Sequence, residues 1–506
     1  TRRQHLHLTD LCYDLIEIPA KAETISVTGL AVDSVRVKAG DIFFAIAGAR
    51  YDGRDFIENA IEAGAVAVVT GIAPLAQSLI TLSECTKIPI LQCDNPRRTM
   101  AQMAARVWPS QPGMVAAVTG TNGKTSTTEF LRQLWTRATW QAVAVGTLGV
   151  TGTDMIKANG AMLSLPPLTT PDSISLHCAI SPLANAGVTH LALEASSHGL
   201  SQYRLDGMNI HLAAFTNLSR DHLDHHADMD SYFAAKIRLF TELLSEGGCA
   251  AINLDDPHSA AIIKALSDRA IVVKTFGYAK NADFHIKSIT PAGDGLNMQV
   301  THNSQSWDIP LALSGTFQAV NALTAAVMAY LGGLPLHDSL GALPFLKAAP
   351  GRMQTVYGHP KGARVVVDYA HTPEALAAAL GALRPEATGK LCVLFGCGGE
   401  RDPGKREMMG QVACQIADHV IVTDDNPRTE DPAAIRNSIL KACDSATEIV
   451  PRDKAIASAL NQLDAGDVLL IAGKGHETGQ LIGNETLPFD DAAVANNQLR
   501  TMHEAK

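Results

Sequence analysis

The chain has 506 residues, 46% hydrophobic and 18% charged, with a formal net charge of −10. This length supports about three domains around sizeable cores, and the acidic balance argues against general nucleic-acid binding, which needs a basic face. No run is long and apolar enough to span a bilayer, the start TRRQHLHLTDLCYDL lacks the apolar run of a signal peptide, and nine scattered cysteines without a CxxC pair suit reduced thiols in a cytoplasm.

The start, which lacks a Met, reads as trimmed or engineered. The first region, residues 1–109, reads as a small α/β unit. Asp41 to Gly48 and Ala65 to Thr70 are strand-like, with a helix-like DFIENAIEAG between them, and Ile88 to Cys93 is a further strand. Val32-Asp33-Ser34 and the Gly48 to Gly53 turn hold its polar residues; on the residues alone, ordinary turns and ligand contacts are equally open. WPSQPG (Trp108 to Gly113) is a linker.

The second region, 110–348, opens on VAAVTGTNGKTSTT (Val115 to Thr128). This is a buried strand, a loop of small residues and a helix start. Gly120 and Gly123 let the backbone approach a phosphate. Lys124 supplies a point charge, Thr125 a hydroxyl for magnesium, and the helix N-terminus aims N–H groups at the anion. The usual P-loop spacing places Gly where Val118 stands. A polar turn is the bland alternative, but strand, Gly-Lys-Thr and helix coincide. The following helix is expected over Thr127 to Trp135. LSLPPLTTPDS ends in a helix N-terminus, and THLALEASSHGL and HLAAFTNLSRDHLDHH are strands running into polar loops. Such loops lie at strand C-terminal ends, where open α/β sheets bind ligands. SYFAAKIRLFTELL (Ser231 to Leu244) is an amphipathic helix carrying Lys236. CAAINL and IVVKTF are strands, Ala282 to Leu313 an antiparallel patch, and GTFQAVNALTAAVMAYLGG an Ala-rich helix.

The third region, 349–506, alternates strand and helix. RVVVDYAHTPEALAAAL, LCVLFGCGGERDPGKR, HVIVTDDNPR and DVLLIAGKGHE are strand-to-loop units, indicating a parallel, Rossmann-like sheet. GCGGERD lacks the GxGxxG spacing, so NAD is rejected as a cofactor. Cys397, beside Gly396 and Gly398, reads as a small residue in a turn rather than a reactive thiol.

Asp221 to His226, DHLDHH, invites a zinc reading, but no Cys or HExxH arrangement supports it, and the P-loop already implies magnesium. Hard oxygen ligands suit that ion, which makes Glu194 at a strand end a candidate; a solvated Glu is the equal alternative. Lys236 by itself reads as a surface lysine. Arg352, Asp368 and His371 surround one strand end and suit a nucleotide. Arg401, Arg428 and Glu477 lie in three loops at strand C-termini. Two guanidiniums and a carboxylate fit a zwitterion with carboxylates to spare, because Arg forks bind carboxylates bidentately.

With TGTNGKTS, LEASSHGL, TNLSRDHLDHH followed by Lys236, VDYAHTP and DNPR, the chain resembles the Mur ligases of peptidoglycan synthesis over nearly its whole length. The resemblance implies three α/β domains: a small N-terminal UDP-sugar domain (1–109), a central P-loop ATPase with a mostly parallel sheet (110–348) and a Rossmann-like amino-acid domain (349–506). With the charge, the cysteines and the lack of a spanning run, the expectation is a cytoplasmic protein, taken as a monomer, that binds neither nucleic acid nor membrane. Its order of motifs is most similar to the branch that joins meso-2,6-diaminopimelate to UDP-N-acetylmuramoyl-L-alanyl-D-glutamate. In that branch ATP phosphorylates the D-glutamate carboxylate, and the amine of the incoming amino acid displaces phosphate.

Residue by residue, the resemblance assigns Gly120, Thr121, Asn122, Gly123, Lys124, Thr125, Ser126, Asn321, Arg352 and Asp368 to ATP. It assigns Val32, Ser34, Ala49, Arg50, Tyr51, Thr169, Thr170, Ser196, Gln202 and Arg204 to the UDP-sugar. Arg401, Asp425, Asn426, Pro427, Arg428, Gly473 and Glu477 fall to diaminopimelate. Thr125, Glu194, His222 and Lys236 fall to magnesium, with Lys124, Lys236 and His222 catalytic. Lys236 is expected to carry carbon dioxide as a carbamate (N6-carboxylysine). Two departures stand out: Val35 where the family often has Arg, with Arg36 beside it, and Gln318 where Asn is common. DNPR marks diaminopimelate users, because Arg428 pairs with the distal carboxylate that lysine lacks. A folylpolyglutamate synthetase shares the loop but lacks the N-terminal domain and DNPR. A P-loop switch that uses ATP to control partner binding is disfavoured by three ligand-facing loops in the last region.

Overall fold

The structure, a computed structural model, describes residues 6–48, 51–152, 165–166, 168–219, 225–293 and 295–504. The chain packs as two compact units. One contains residues 1–124, 139–250 and 260–273, and the other 125–138, 251–259 and 274–506.

Besides the two-stranded ribbon of Leu6–His7 and Ser26–Val27, the described strands of the first unit belong to two larger sheets. The smaller has four parallel strands in the order Gly29–Ala31, Asp41–Ala45, Ala67–Gly71, Ile90–Cys93. Side chains alternate across a strand. Ile42 and Phe44 therefore enter one core, with Met100, Met103 and Ala104 of the helix Pro96–Val107. Phe43 and Ala45 enter the other, with Ile57 and Ala60 of the helix Ile57–Glu62. Both faces are covered, so IFFA (Ile42 to Ala45) reads as an unbroken apolar run. Truncating Phe44, fully buried, to Ala costs roughly 3–5 kcal/mol. The helix Pro96–Val107 is absent from the sequence reading, although its start is marked. Asn95 caps it by accepting from the Arg98 N–H at 3.0 Å, and Pro96 occupies the first turn.

The larger sheet of this unit runs Leu244–Asn253, Ile210–Phe215, Met114–Thr119, His190–Glu194, Ala142–Gly146, Gly149–Thr151. Met114–Thr119 is parallel to both of its neighbours, with Glu194 beside Val118 and Phe215 beside Thr119. That register brings the ends of three expected strands to one edge. Loops can tie down there what the strands themselves cannot reach.

Several boundaries differ from expectation. The helix after the glycine-rich loop runs Lys124–Arg137, starting three residues before Thr127. Gly123, at φ +87°, makes the turn, so Lys124 already has helical geometry. The helix with Lys236 is Met229–Arg238, capped by Asp228, and gives way to a π-turn at Leu239–Leu243. Leu244 therefore begins a strand rather than ending a helix.

The second unit contains the expected antiparallel patch, Phe284–Ala292, Gly295–His302 and Gln305–Leu311. The Ala-rich helix Thr316–Leu331 follows it. A six-stranded sheet runs Gln354–Val356, Arg364–Asp368, Val468–Ala472, Leu391–Phe395, His419–Val422, Thr447–Glu448. Its first strand is antiparallel and the rest parallel, as the β-α alternation implies. Among the described residues no helix is long and apolar enough to cross a membrane.

Candidate functional site

In the first unit the glycine-rich loop is held by the segment after the strand Ile210–Phe215. The N–H groups of Thr121 and Asn122 donate to Asn217, to its carbonyl at 2.9 Å and its side-chain oxygen at 3.0 Å. The Thr216 hydroxyl donates to the Asn122 carbonyl at 2.6 Å. Gly120 sits at φ +153°, and a Cβ there would lie 1.9 Å from Thr216 Oγ1, so no other residue fits. Two ammonium groups converge on its carbonyl, Lys124 Nζ at 2.8 Å and Lys236 Nζ at 2.9 Å. Lys236 is buried, 1% exposed, with its Nζ 4.4 Å from the Tyr232 ring centroid. The Tyr232 hydroxyl meets Thr121 Oγ1 at 3.1 Å. The surface-lysine reading of Lys236 is therefore wrong, and the amphipathic helix turns this residue inward. Thr216, Asn217 and Tyr232 escaped the sequence reading. The Thr-Asn pair immediately after a predicted strand end was the available signal.

Glu194 is 2% exposed at the end of its strand, so it is not a solvated glutamate. Its carboxylate accepts from the Thr147 N–H at 2.8 Å and the Thr147 hydroxyl at 3.2 Å. A Cβ on Gly146 would stand 2.1 Å from Glu194 Oε1. Thr169 Oγ1 accepts from the Thr147 hydroxyl at 3.2 Å, and the Thr170 hydroxyl donates to the Glu194 carbonyl at 2.7 Å. Ser196 N–H donates to Thr170 Oγ1, and the Ser196 side chain caps the short helix Ser197–Ser201. Arg204 donates to the Thr170 carbonyl at 2.5 Å and to Gln202 Oε1 at 2.8 Å. Five expected sugar contacts and one expected metal ligand thus share one network.

Val32 and Tyr51 are exposed, at 42% and 70%, and Ser34 opens a single helical turn capped by Asp33. Val35 is 90% exposed, and Arg36 makes a 3.6 Å surface ion pair with Asp33. Ala49, Arg50 and His222 lie outside the described residues.

A cavity of about 320 Å³ opens at the C-terminal ends of the smaller sheet's strands, lined among others by Asp52, Arg54, Asn95 and Arg97. Arg97 Nη2 donates to the Ala47 carbonyl at 3.0 Å. Burial lowers the affinity of Arg204 for its proton, and the charge of Arg97 adds to that. Asp52 and Arg54 pair at 2.5 Å. A helix N-terminus, two arginines and an apolar wall suit an anionic group carrying an uncharged ring. Neither Arg54 nor Arg97 was picked out in the sequence. A strand followed by Asn-Pro-Arg-Arg, a capped helix start, was the missed signal.

In the second unit the expected nucleotide residues form a chain. Asn321 donates to Gln318 Oε1 at 3.0 Å, and Gln318 donates to the Arg352 carbonyl at 2.8 Å. The Arg352 guanidinium stacks over Tyr369 at 4.8 Å. Asp368 accepts from the Met353 N–H at 2.7 Å; burial pushes its carboxyl up, and Arg352 opposes that.

The amino-acid residues also meet. Gly398 lies between two arginines: a Cβ there would be 3.0 Å from Arg428 Nη1 and 3.8 Å from Arg401 Cγ. Arg428 sits at φ +53°, its guanidinium on the Gly399 carbonyl at 2.7 Å. Gly473, at φ +110°, leaves only 2.7 Å between a Cβ and Asp425 Oδ2. Asn426 donates to Glu477 Oε2 at 2.8 Å. Lys474, fully buried and overlooked in the sequence, donates to Asn426 Oδ1 at 2.9 Å and Glu477 Oε2 at 3.1 Å. Burial raises the Asp425 carboxyl, against Arg452 and Lys474. Arg452 holds Asp491 in a two-pronged pair at 2.8 and 2.7 Å with both side chains 0% exposed. It also donates to the carbonyls of Asp424 and Ala472, fixing both loops. Cys397 is buried, its thiol pushed up to about 12 by burial and placed on Met409 Sδ at 3.6 Å, as a packing residue.

Comparison with known proteins identifies the family of the whole chain. Family models match in three places: the Mur ligase family catalytic domain at residues 26–108, the Mur ligase middle domain at 118–329, and the Mur ligase glutamate ligase domain at 351–475. A UDP-N-acetylmuramoyl-L-alanyl-D-glutamate--2,6-diaminopimelate ligase of Bradyrhizobium diazoefficiens is 46% identical, over 96% of this chain and 97% of its own. The like-named protein of Brucella melitensis biotype 1 is 44% identical over 94% of each chain. A solved structure of a protein bearing the same name superposes with a TM-score of 0.72 at 34% identity, covering 99% of both chains. With family models matching in three places and like-named relatives aligned over nearly the whole length, the chain belongs to the Mur ligase family, with that family's three-domain α/β fold.

Proposed function

We propose that this chain is an ATP-dependent acid–amino-acid ligase of peptidoglycan precursor synthesis. It adds meso-2,6-diaminopimelate to UDP-N-acetylmuramoyl-L-alanyl-D-glutamate and forms ADP and phosphate. The domain reading is 1–109 for the UDP-sugar, 110–348 for ATP and 349–506 for the amino acid, in a cytoplasmic monomer. One observation supports the substrate choice above the others: Arg401 and Arg428 flank Gly398, in the same unit as the Lys474–Asn426–Glu477 network. Diaminopimelate presents two carboxylates and two amines. Guanidinium forks suit a carboxylate and Glu477 suits an ammonium.

The chemistry follows from charge. Lys124 neutralises the β- and γ-phosphates, which are cradled by the N–H groups of the loop. The D-glutamate carboxylate oxygen attacks the γ-phosphorus, ADP leaves, and an acyl phosphate forms. The neutral amine of diaminopimelate then attacks the acyl carbon. The tetrahedral adduct expels phosphate, and the nitrogen gives up its proton. Thr170, Ser196, Gln202 and Arg204 orient the sugar nucleotide, and Arg54 and Arg97 meet its anionic part.

The buried Glu194 carboxylate is a hard oxygen donor of the kind magnesium takes; Thr125 and His222 are assigned to the ion by resemblance. When bound, the ion neutralises phosphate charge. Lys236 suits carbamylation. Carbon dioxide adds to the neutral amine with loss of a proton, and the product keeps one N–H for the Gly120 carbonyl while reversing the charge of its outer end.

The test is phosphate release from ATP with UDP-muramoyl-dipeptide and each candidate amino acid in turn. Turnover that requires meso-diaminopimelate supports the proposal. Turnover with lysine equal to that with diaminopimelate overturns the specificity, and amino-acid-independent ATP hydrolysis favours the switch reading.

A further inference from the structure

His225 and His226, the last two residues of the DHLDHH motif, have a third partner from another loop. His225 and His226 lie opposite His198, which follows the strand carrying Glu194 and sits in the helix Ser197–Ser201. One ring nitrogen from each of the three lies within 4.8 Å of the other two. His198 and His225 stack at 3.8 Å between centroids, 22° from parallel. His226 meets both edge-on, at 5.9 Å from His198 and 4.8 Å from His225. Burial grades from His226, 6% exposed, through His198 to the exposed His225. The cluster is thus anchored on one side and open to solvent on the other.

We propose that His198, His225 and His226 form a binding site for one transition-metal ion of the zinc class, distinct from the oxygen-ligand magnesium site. Imidazole nitrogens suit zinc, cobalt, nickel and copper, whereas magnesium takes oxygens. A metal bound at about 2.0–2.1 Å to three imidazoles in tetrahedral geometry needs nitrogens about 3.4 Å apart. The nitrogens already lie within 4.8 Å of one another, and a rotation of the exposed His225, whose Nε2 gives up a 3.3 Å contact with the Ser201 hydroxyl, brings them to that spacing. The fourth position faces solvent on the His225 side and takes a water. No Cys or HExxH arrangement accompanies the motif within its own loop, but folding supplies the missing ligand from residue 198. The site also reaches the phosphate loop. The His226 ring lies 5.1 Å from Tyr232, whose hydroxyl meets Thr121. An ion at the histidines therefore restrains Tyr232.

Tag-free protein, stripped with chelator and held in excess magnesium chloride, is titrated with cobalt chloride. The expected result is one equivalent bound, with the visible d–d absorption of four-coordinate cobalt on nitrogen ligands, bleached by one equivalent of zinc. His225→Ala, an exposed change that leaves the core intact, is expected to weaken cobalt binding at least tenfold and to abolish that spectrum. His198→Ala, with its fold checked by circular dichroism, is expected to do the same. Failure of the parent to bind cobalt in magnesium, or an unchanged spectrum and stoichiometry in His225→Ala, overturns the proposal. Neither result bears on the ligase reading, which is tested by phosphate release.

Discussion

Lys236 reaches from its helix to donate to the Gly120 carbonyl at 2.9 Å, the same oxygen that accepts from Lys124 at 2.8 Å. Two ammonium groups on one loop carbonyl concentrate positive charge at the proposed ATP site. One of them must change character if an acidic group is also to serve a metal there. The proposed carbamylation of Lys236 would do this without moving the helix.

Lys236→Ala is expected to lose most of its kcat, and short carboxylates such as acetate are expected to restore part of it by occupying the space vacated. Labelled bicarbonate should give a carbamate carbon signal in the parent and none in the variant. Full activity of Lys236→Ala without added carboxylate would remove the role.

Gly146→Ala tests the strand-end glutamate. The added methyl stands 2.1 Å from Glu194 Oε1 and 2.5 Å from its Cδ, so the carboxylate must swing away from Thr147. Disturbing a group that orients a metal ligand costs roughly 10–100-fold in metal affinity or activity. The magnesium requirement for half-maximal rate should rise by that factor while the melting temperature moves little. An unchanged magnesium dependence argues that Glu194 is only structural.

Arg428→Ala addresses the amino acid. Loss of one partner from a buried charge pair costs about 3–5 kcal/mol, which corresponds to a fall of roughly 10²-fold or more in kcat/KM for meso-diaminopimelate. Lysine, lacking the distal carboxylate, should lose far less from its already low rate. Arg428→Lys should recover little, because an ammonium cannot replace a bidentate fork. Equal losses for both amino acids would assign Arg428 to the fold rather than to specificity.

Local motifs in the sequence were enough to reveal many of the strands and the glycine-rich loop, since each carries its signature beside it. The partners that fix them were harder to see. Asn217 steadies Asn122 from 95 residues away, and Lys474 joins Asn426 across 48 residues, neither pair marked by spacing. Lys236 was misjudged because one helix face gives no hint of which side is buried. His198 was missed as a companion of His225 and His226 because it belongs to a separate strand-to-loop unit. Helix boundaries slipped where a glycine turn or a π-turn replaced regular geometry, at Lys124 and Leu239.

Acid should destabilise the protein through histidines that are buried neutral. Burial lowers His177, His190 and His476 each from 6.5 to about 4. The unfolded chain therefore binds more protons than the folded one between those values. This stability is complete above pH 6.5 and is lost as the pH falls toward 4. For His177, 0% exposed, the loss is about 2 kcal/mol at about pH 5. His177→Phe should flatten the slope of stability against pH by about one proton in that window. A slope equal to the parent's would mean that His177 is already protonated in the folded state.

The Arg452–Asp491 pair should be the costliest charge pair to break in the second unit. Both side chains are 0% exposed, and Arg452 also secures the carbonyls of Asp424 and Ala472, next to Asp425 and Gly473. Asp491→Ala leaves a buried guanidinium uncompensated, at a cost of roughly 3–5 kcal/mol. Arg452→Met combined with Asp491→Leu removes both charges and should recover much of that stability. It should not recover the affinity for diaminopimelate, because the two carbonyls that shape the DNPR and Gly473 loops lose their donor. Denaturant titration reads the first effect and the KM for diaminopimelate the second. A double variant with parental KM would show that the loops hold their shape without Arg452.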